Sequence, residues 1–227
     1  MTCVSISQPT LFPWIGYFNI IKNSDVFIFL DNVKFEKRSW QMRNRLKSIQ
    51  AEREEPVWIN IPTTIKNSNI ILNDVKIDNS QNWKRRHLQS FRVNYGKNFQ
   101  NLEFLVNMYE QEWEKLVDFN INFITNCCEF LGIHTKLFRA SEQDVVGSKS
   151  GLLLNICKKF NATEYLSTIG AKDYLENDKD LFLKENIEIK YHEYLQPKYK
   201  QNGKKFLEKL SILDLLFNEI SNSKKFI

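Results

Sequence analysis

Apolar residues near the start of the chain form two short runs with a helix-like segment between them. The first run, residues 2–6, has strand length and ends before a proline, which disfavours helix in the preceding residue and cannot donate to a sheet ladder. A second proline, Pro13, precedes residues 14–22, where its fixed φ suits the first turn of a helix. The second run, residues 26–30, again has strand length. The pattern therefore predicts a strand–helix–strand unit with parallel strands.

Two polar residues follow these predicted strands at the point where each strand ends. Gln8 comes after the first strand and Asp31 directly after the second. In parallel sheets, ligands bind outside the carboxyl ends of the strands, so both side chains are candidates for the floor of a site. We predict that Gln8 and Asp31 belong to the catalytic group, with Gln8 orienting a substrate.

The last third of the chain again alternates between strand-like and helix-like segments. Strands are predicted at 135–138, 164–167 and 187–192, with helices at 148–160 and 180–186 between them. Strands that alternate with helices of this length are typical of a parallel, doubly wound sheet. The predicted fold class is therefore α/β, with a Rossmann-like, mainly parallel sheet.

The middle of the chain departs from this alternation. Residues 56–62 and 70–77 are rich in β-branched side chains and flank a polar turn at 63–69, which predicts a small antiparallel strand pair. From about residue 80 onward, the apolar positions follow a helical spacing. We therefore expect one α/β domain over residues 1–227 that carries a mainly helical insertion around 80–132.

Composition and length are those of an ordinary globular protein. The 227 residues are 42% hydrophobic and 26% charged, and no apolar run approaches the roughly 18 residues of a membrane span. The beginning lacks the basic and apolar regions of a signal peptide, so we expect a cytoplasmic protein. The cysteines have no zinc-ligand spacing and lie in apolar contexts, which favours buried free thiols over redox or nucleophilic roles at Cys3, Cys127, Cys128 and Cys157.

The net charge of +5 is mild, but its distribution along the chain is uneven. Basic residues concentrate at 34–47, 84–92 and 198–205, and an acidic stretch at 103–118 separates the second cluster from the third. Separated clusters of this kind favour a local anion site over a general polyanion surface. A solvated basic face is the alternative interpretation.

The first basic cluster includes a segment in which aromatic, amide and guanidinium side chains crowd together. Buried amides and guanidiniums each need hydrogen-bond partners, so such a segment is costly to place in a core. Arginine forks suit phosphate or carboxylate, and tryptophan offers a flat face to a base or sugar. We therefore predict a substrate-binding loop formed by Trp40, Gln41, Arg43, Asn44 and Arg45. A surface tryptophan stacked by arginine is the alternative.

A second candidate for anion binding lies at the end of the strand predicted at 164–167. Ser167, Thr168, Gly170 and Lys172 combine small, hydroxyl and cationic side chains that could cradle a phosphate together with backbone N–H groups. The spacing is not that of a Walker loop. Many strand-to-helix turns share this pattern without binding anything, so an ordinary turn is the alternative.

One histidine is prominent on the first helix of the predicted insertion. Ser80 is the expected N-cap of that helix, and Trp83, His87 and Phe91 share one face by four-residue spacing. Nearby arginines favour the neutral imidazole, which titrates near working pH and can act as a general base. We therefore predict His87 as the catalytic base. A packed histidine bonded to the backbone is the alternative.

Several blocks of the chain, taken together and in order, resemble the WbqC-like family of bacteria. The blocks are Gln8-Pro9, Pro13 to Phe18, Asp25 to Phe27, Leu30-Asp31, Trp40 to Arg45, Trp83 with His87 and Tyr95, Ala162 to Ser167, Gly170 to Leu175, and Leu210 to Asn218. They span nearly the whole sequence. The family is linked chiefly to gene clusters for surface polysaccharide (O-antigen), with a proposed role in transferring glycine to a sugar.

The resemblance implies site residues beyond those that the pattern alone supplies. It implies that His87 faces a ligand, and it adds substrate-binding roles for Pro13, Trp14, Tyr17, Trp83, Tyr174, Ser211 and Asp214. Ser211 and Asp214 stand three residues apart on a closing helix, so without the resemblance a buried cap network is the simpler interpretation. Family members often carry histidine before Gln-Pro, whereas this chain has Ser7 there, so a mechanism that needs an imidazole at that position does not carry over.

Two functions remain as alternatives. In the first, which the resemblance implies, the protein is an enzyme of surface-polysaccharide biosynthesis that transfers an acyl or aminoacyl (glycyl) group to an amino sugar or sugar nucleotide. In the second, it is a nucleotide- or RNA-binding protein, or a nucleotidyltransferase-like enzyme without acyl transfer, by analogy with the order of the parts. We assign no cofactor and no metal. The expected partner is a small sugar nucleotide or activated acyl donor; nucleic acid is not expected, although an RNA-borne donor stays an alternative.

Overall fold

The computed structural model describes residues 1–48, 55–65 and 69–227 and contains two sheets. Their strands are β1 (Cys3–Ser7), β2 (Val26–Phe29), β3 (Arg43–Lys47), β4 (Pro56–Asn60), β5 (Lys136–Arg139), β6 (Glu164–Thr168) and β7 (Glu188–His192). The larger sheet has five parallel strands in the order β5-β2-β1-β6-β7. The smaller sheet is the antiparallel pair β3–β4.

Helices connect the parallel strands and extend the chain beyond them. They are α1 (Ile15–Lys22), α2 (Trp83–Tyr95), α3 (Glu103–Glu110), α4 (Leu116–Leu131), α5 (Lys149–Lys159), α6 (Lys172–Asn177), α7 (Lys179–Leu183) and α8 (Ile212–Asn218). Gly96 and Gly132, with φ of 66° and 72°, stop α2 and α4 in a conformation that side chains rarely adopt. Within the described ranges, no helix has the length and apolarity needed to span a membrane.

Alternation along the strands divides the buried side chains into two clusters on opposite faces of the five-stranded sheet. Phe27 and Phe29 belong to the first face, together with residues of α1–α4 and α8. Val26 and Ile28 belong to the second face, together with residues of α5–α7. The chain runs outward from β1 through β2 to β5 with crossovers on the first face, then through β6 and β7 with crossovers on the second. This arrangement confirms the predicted doubly wound α/β fold.

The small antiparallel sheet was predicted, but the predicted strand partners were wrong. β4 pairs with β3, whereas residues 70–77 meet the segment after β4 through an isolated antiparallel bridge between Thr63 and Ile77. Residues 70–77 contain a 3-10 helix and bury their apolar side chains at uneven intervals, at Leu72, Val75 and Ile77. Such intervals do not match the two-residue period of a strand, so these side chains reach the core from a turn. Residues 66–68 of the predicted polar turn lie outside the described residues.

Two further local predictions were wrong. The segment expected to be a binding loop is strand from Arg43 onward, because its side chains alternate between a partly exposed face and a buried one. The residue that precedes α2 is Asn82 rather than Ser80. The hydroxyl of Ser80 instead donates to the carboxylate of Asp78 at 2.6 Å, which keeps it within the preceding turn.

Candidate functional site

The direction of the strand order reverses between β1 and β6, and the two strands separate toward their carboxyl ends. Their ladder covers two residue pairs and stops at Val4↔Tyr165, whereas the ladder between β1 and β2 continues to the last residue of each strand. Beyond that point the side chain of Ser5 bridges the gap, donating from Oγ to the carbonyl of Leu166 at 2.8 Å. Doubly wound sheets bind ligands in the crevice at such a reversal. We call the residues that follow the five parallel strands the carboxyl edge.

Gln8 is exposed at the carboxyl end of β1 and keeps free hydrogen-bond donors. Its Oε1 accepts from Nε2 of Gln41 at 2.8 Å, and its carbonyl accepts from the hydroxyl of Tyr17 at 3.0 Å. Gln41 is 2% exposed, and its Oε1 accepts from the backbone N–H of Glu36 at 2.9 Å. The amide nitrogen of Gln8 has no partner among the described residues. Buried neighbours therefore orient Gln8 and leave its two N–H groups available to a ligand.

Asp31 follows β2 and is fully buried in an ion-pair network. Its carboxylate accepts from Nε of Arg139 at 2.9 Å and from the backbone N–H and hydroxyl of Ser141 at 2.9 and 2.7 Å. The same guanidinium donates to Asp118 and Asn73, each at 2.8 Å. Burial lowers the pKa of Arg139, but the hydrogen bonds and charges of Asp31 and Asp118 outweigh that effect. The pKa is raised overall, so the guanidinium stays charged. The network joins the ends of β2 and β5 and occupies both oxygens of Asp31.

His87 is 3% exposed and is bonded through both ring nitrogens. Nε2 lies 2.9 Å from the carbonyl oxygen of Asn60, which only accepts, so Nε2 carries the proton. Nδ1 lies 2.8 Å from the hydroxyl of Tyr109, which then donates. Burial lowers the pKa of His87 to about 4, against the opposing bond to Asn60, and the charge of Arg86 lowers it further. The imidazole is therefore neutral, but the lone pair on Nδ1 already accepts the hydrogen bond from Tyr109. This geometry is that of the packed-histidine alternative. The role of His87 as a base stays a prediction.

Asn44 is 4% exposed and fixes the turn that follows β1. Its Nδ2 donates to the carbonyls of Leu11 and Phe12 at 2.9 and 2.8 Å, while its Oδ1 accepts from the backbone N–H of Arg45 at 2.7 Å. Phe12 has a φ of 44°, which a phenylalanine adopts only when its surroundings impose it. The polar atoms of Asn44 are therefore used to shape the backbone of this turn.

Other predicted binding residues near the first helix make packing contacts. The ring of Trp14 covers Gly16, where a Cβ would lie 2.3 Å from it, so only glycine fits. The carbonyl of Pro13 accepts from the first backbone N–H of α8 at 2.8 Å. Trp83 is 1% exposed and donates from Nε1 to Oδ1 of Asn79 at 3.1 Å. These contacts tie the turn after β1 and the start of α2 into the first face.

The arginines of β3 lie over two exposed tryptophans. Cζ of Arg43 is 4.2 Å from the ring centre of Trp58, and Cζ of Arg45 is 5.5 Å from that of Trp40. The two rings are 5.6 Å apart, and each tryptophan is 47% exposed. This geometry matches the alternative of a surface tryptophan stacked by arginine. The exposed ring faces nevertheless offer a stacking surface, which we call the Trp–Arg platform.

The segment after β6 lies at the carboxyl edge, next in the strand order to the residues that follow β1. Ser167 is buried, whereas Thr168, Gly170 and Lys172 are exposed. Nζ of Lys172 lies 5.6 Å from the ring centre of Tyr191, in β7. No atom lies within 4 Å of a Cβ added at Gly170, so no close approach requires this glycine. The phosphate-binding role of the segment stays a prediction.

Ser211 and Asp214 form the cap and the polar centre of α8. Ser211 accepts from the backbone N–H two residues later at 3.2 Å, which caps the helix. The buried carboxylate of Asp214 accepts from the hydroxyls of Tyr95 and Tyr199, each at 2.7 Å, and from Nε2 of Gln201 at 2.8 Å. Burial raises the pKa of Asp214, although these hydrogen bonds act to lower it. The geometry is that of the buried cap network.

The predicted residues thus fall into separate groups rather than one pocket. Gln8 is joined to Gln41 and Tyr17, but no hydrogen bond or ring contact among the described residues joins the Trp–Arg platform to the segment after β6. Sequence reasoning missed Arg139 and Ser141 at the end of β5. The rule that selected Gln8 and Asp31, a polar residue directly after a parallel strand, would have found them.

Metal ligands and reactive thiols are not assembled in the part of the chain that the structure describes. There, no group of three or more His, Cys, Asp or Glu side chains is placed to hold a metal ion. The cysteines are free, and burial raises the pKa of Cys3, Cys128 and Cys157 to about 12. These groups are therefore thiols near neutral pH rather than the reactive thiolate.

Comparison with known proteins finds relatives over nearly the whole chain. Residues 8–226 match the model of the WbqC-like protein family. The chain is 32% identical over 224 residues to the uncharacterized protein Rv1507c of Mycobacterium tuberculosis (strain ATCC 25618 / H37Rv), an alignment that covers 96% of this chain and 94% of that protein. No solved structure matches the chain.

Proposed function

Since the chain belongs to the WbqC-like protein family, we propose that it is a transferase of bacterial surface-polysaccharide (O-antigen) biosynthesis. Its substrates are an activated acyl or aminoacyl donor, such as a glycyl donor, and an amino sugar carried as a sugar nucleotide. The observation that carries the proposal is the reversal of the strand order between β1 and β6, the point at which doubly wound sheets bind ligands. Gln8 follows β1 and Lys172 follows β6, and both side chains are exposed.

The residues of the carboxyl edge suit a substrate that carries both hydroxyl groups and negative charge. Gln8 presents two oriented N–H groups, and Lys172 supplies a cation beside Tyr191. A sugar nucleotide offers hydroxyl and carbonyl acceptors to the first and phosphates to the second. We assign neither Asp31 nor His87 a contact with the substrate, because every polar atom of both side chains already has a protein partner.

The proposed reaction joins the amino group of the sugar to the carbonyl carbon of the donor. The nitrogen attacks that carbon, a new C–N bond forms, and the bond between the carbonyl carbon and its leaving group breaks. One proton of the amine ends on the departing group, so the products are an amide and the protonated leaving group. Gln8 would hold the acceptor at the distance and angle of attack, which is a contribution from orientation rather than from acid–base chemistry.

Nucleotide or RNA binding without acyl transfer is the second candidate, and the Trp–Arg platform favours it. Bases stack on exposed aromatic rings, and nearby arginines add cation–π and phosphate contacts. Trp40 and Trp58 are both half exposed, with Arg43 and Arg45 over their rings. A sugar nucleotide could use the same surface, so the platform alone does not separate the two candidates.

Product formation separates them. Purified protein is incubated with a panel of activated glycyl donors and amino-sugar nucleotides, and mass spectrometry is used to detect the amide. We expect a product whose rate of formation falls about tenfold or more in Gln8→Ala, because one oriented hydrogen-bonding group is lost. Gln89→Ala, an exposed glutamine on α2, is the matched control and keeps the wild-type rate.

Binding is measured in parallel by thermal unfolding. A sugar nucleotide that binds the native state raises the melting temperature, and Arg45→Ala should reduce that shift more than the charge-matched Lys204→Ala. Stabilisation by nucleotides without amide product supports the second candidate. The absence of both product and stabilisation across the panel would contradict the transferase proposal.

A further inference from the structure

A cavity of about 550 Å³ lies beside the carboxyl edge on the second face of the sheet. Its apolar lining comes from Leu30 and Val33, just after β2, and from Leu152 and Leu153 in α5. Its polar lining comes from the start of α5 and the end of α6. A cavity of this size and mixed lining is within the range of small-ligand sites. The residues that sequence reasoning selected for anions do not line it. Tyr174, to which the family resemblance gave a substrate-binding role, does line it and is 48% exposed.

The start of α5 presents unpaired backbone donors to this cavity. The helix has eleven residues, its first turn contains no acidic residue, and the side chain of Ser148 makes no capping bond. The backbone N–H groups of Lys149, Ser150 and Gly151 have no acceptor among the described residues, as expected for the first turn of an uncapped helix. Aligned peptide dipoles place positive potential there, and the ammonium group of Lys149 adds to it.

A second observation at the same place is the hydroxyl of Ser150. This serine is 2% exposed and lines the cavity, yet its Oγ has no hydrogen-bond partner among the described residues. A buried hydroxyl without a partner is unfavourable by about 1–3 kcal/mol, so such groups in native proteins usually have a ligand or water to bond. Because Ser150 lies in the first turn of α5, its hydroxyl and the unpaired N–H groups can address the same acceptor.

We propose that this cavity binds a phosphate or diphosphate group, held by the first-turn N–H groups of α5, the hydroxyl of Ser150 and the ammonium group of Lys149. The organic part of the ligand lies against Leu30, Val33, Leu152 and Leu153. This inference rests on the proposed function for its ligand class, because a sugar nucleotide is a diphosphate ester. It adds the start of α5 to the phosphate contacts proposed for Lys172 and for the Trp–Arg platform.

The remaining polar residues of the cavity fit the rest of such a ligand. Asn177 and Asp178 lie at the end of α6, and both line the cavity. A carboxylate opposes a phosphate but accepts hydrogen bonds from the hydroxyls of a ribose or sugar. The cavity therefore presents donors from one helix start and acceptors from one helix end, which matches a molecule with phosphate and hydroxyl parts.

The test uses binding alone, without an acyl donor, so its outcome is independent of transfer. Dissociation constants are measured by calorimetry for inorganic phosphate, inorganic pyrophosphate, UDP, UDP-N-acetylglucosamine and uridine. The variants are Ser150→Ala, Lys149→Ala and the charge-matched Lys159→Ala at the other end of α5. We expect UDP to bind, and Ser150→Ala and Lys149→Ala to weaken its binding by about tenfold each, while Lys159→Ala leaves it unchanged.

The arms of the experiment distinguish the sources of the phosphate group. Binding of phosphate and pyrophosphate shows recognition of the anion itself, and binding restricted to the two uridine diphosphates shows that the nucleoside part is also needed; both support the site. If uridine binds as tightly as UDP, or Ser150→Ala binds UDP as wild type does, the proposal is overturned. It is also overturned if no probe binds. Binding without amide formation in the earlier assay would retain this site and remove the transferase proposal.

Discussion

The two faces of the central sheet differ in how their polar groups are used. On the first face, the predicted site residues Asn44, Trp83, His87, Ser211 and Asp214 each have protein partners for their side-chain polar atoms. On the second face, the start of α5 combines unpaired N–H groups with an unpaired serine hydroxyl beside a cavity. A residue type that is typical of catalysis is therefore a weaker guide to a site than a polar group that lacks a partner.

Dense aromatic packing explains why these predicted site residues have partners, although Oδ1 of the buried Asn120 and Nε of Arg45, also on the first face, have none among the described residues. Phe12 alone contacts the rings of His87, Phe91, Phe119 and Phe123, at centroid distances between 4.7 and 6.5 Å. Polar atoms inside such a cluster have no access to water, so each must find a protein partner or lose free energy of folding. The bonds of His87 to Asn60 and Tyr109 meet this requirement. We therefore expect substitutions of buried residues on the first face to change mainly stability, and substitutions at the start of α5 on the second face to change mainly ligand binding.

The largest expected effect is on stability at the first face. Trp83→Ala removes a side chain that is 1% exposed and leaves a cavity among aromatic rings, so it should lower the free energy of unfolding by about 3–5 kcal/mol. Trp58→Ala is the matched control, because that tryptophan is 47% exposed and contacts Arg43. It should cost about 1 kcal/mol or less. Urea unfolding gives both values, and similar losses in the two variants would contradict the assignment of Trp83 to the core.

The next effect is a pH dependence that His87 produces. Its imidazole takes up a proton near pH 6.5 in the unfolded chain but only near pH 4 in the folded protein, because burial lowers its pKa. Between these values the unfolded state binds more protons, so the free energy of unfolding falls as the pH falls from about 6.5 to about 4. The total loss is about 3 kcal/mol, from roughly 1.4 kcal/mol for each pH unit.

His87→Gln should remove this part of the pH dependence, and unfolding curves between pH 4 and 7 measure it. His134→Gln, at an exposed histidine, is the substitution control. His192 contributes a slope of the same sign, since burial lowers its pKa too, so the difference between wild type and His87→Gln is the quantity to compare. A variant that keeps its ligand affinity and loses turnover would support His87 as the base, whereas retained turnover leaves it a packed core residue.

Much of the fold was predictable because its signals are local. Prolines around the first turn and the alternation of strand-like and helix-like segments predicted β1, α1, β2, α5, β6 and β7 close to their observed bounds. The pairing of β3 with β4 was not predictable in this way. Arg43, Asn44 and Arg45 make β3 polar, and its choice of partner depends on packing against the first face rather than on its own pattern.

The candidate site was less predictable, because burial and pairing depend on residues far apart in the chain. Gln8 and Asp31 could be selected as strand ends, but the partners of Asp31 are Arg139, at the end of β5, and Ser141, in the turn after it, more than a hundred residues later. The occupied lone pair of His87 depends on Tyr109, which lies on another helix. The open hydroxyl of Ser150 has no sequence signal at all, since it is defined by the absence of a contact.

The smallest expected effect sharpens the comparison at two buried serines. Ser150 and Ser211 are 2% and 0% exposed, and both lie at the start of a helix. Ser211 accepts a capping hydrogen bond, so Ser211→Ala should lower the free energy of unfolding by about 1 kcal/mol. Ser150 has no partner among the described residues, so Ser150→Ala without ligand should be neutral or stabilise the protein by up to about 1 kcal/mol. With saturating UDP, wild type should instead have a higher free energy of unfolding than Ser150→Ala, because UDP binds wild type more tightly and therefore stabilises it more. Urea unfolding with and without UDP measures both differences.

The opposite result is that, in the absence of ligand, Ser150→Ala lowers the free energy of unfolding as much as Ser211→Ala does. That result would show that the hydroxyl of Ser150 already has a partner in the protein, and the contrast between the two faces would not hold.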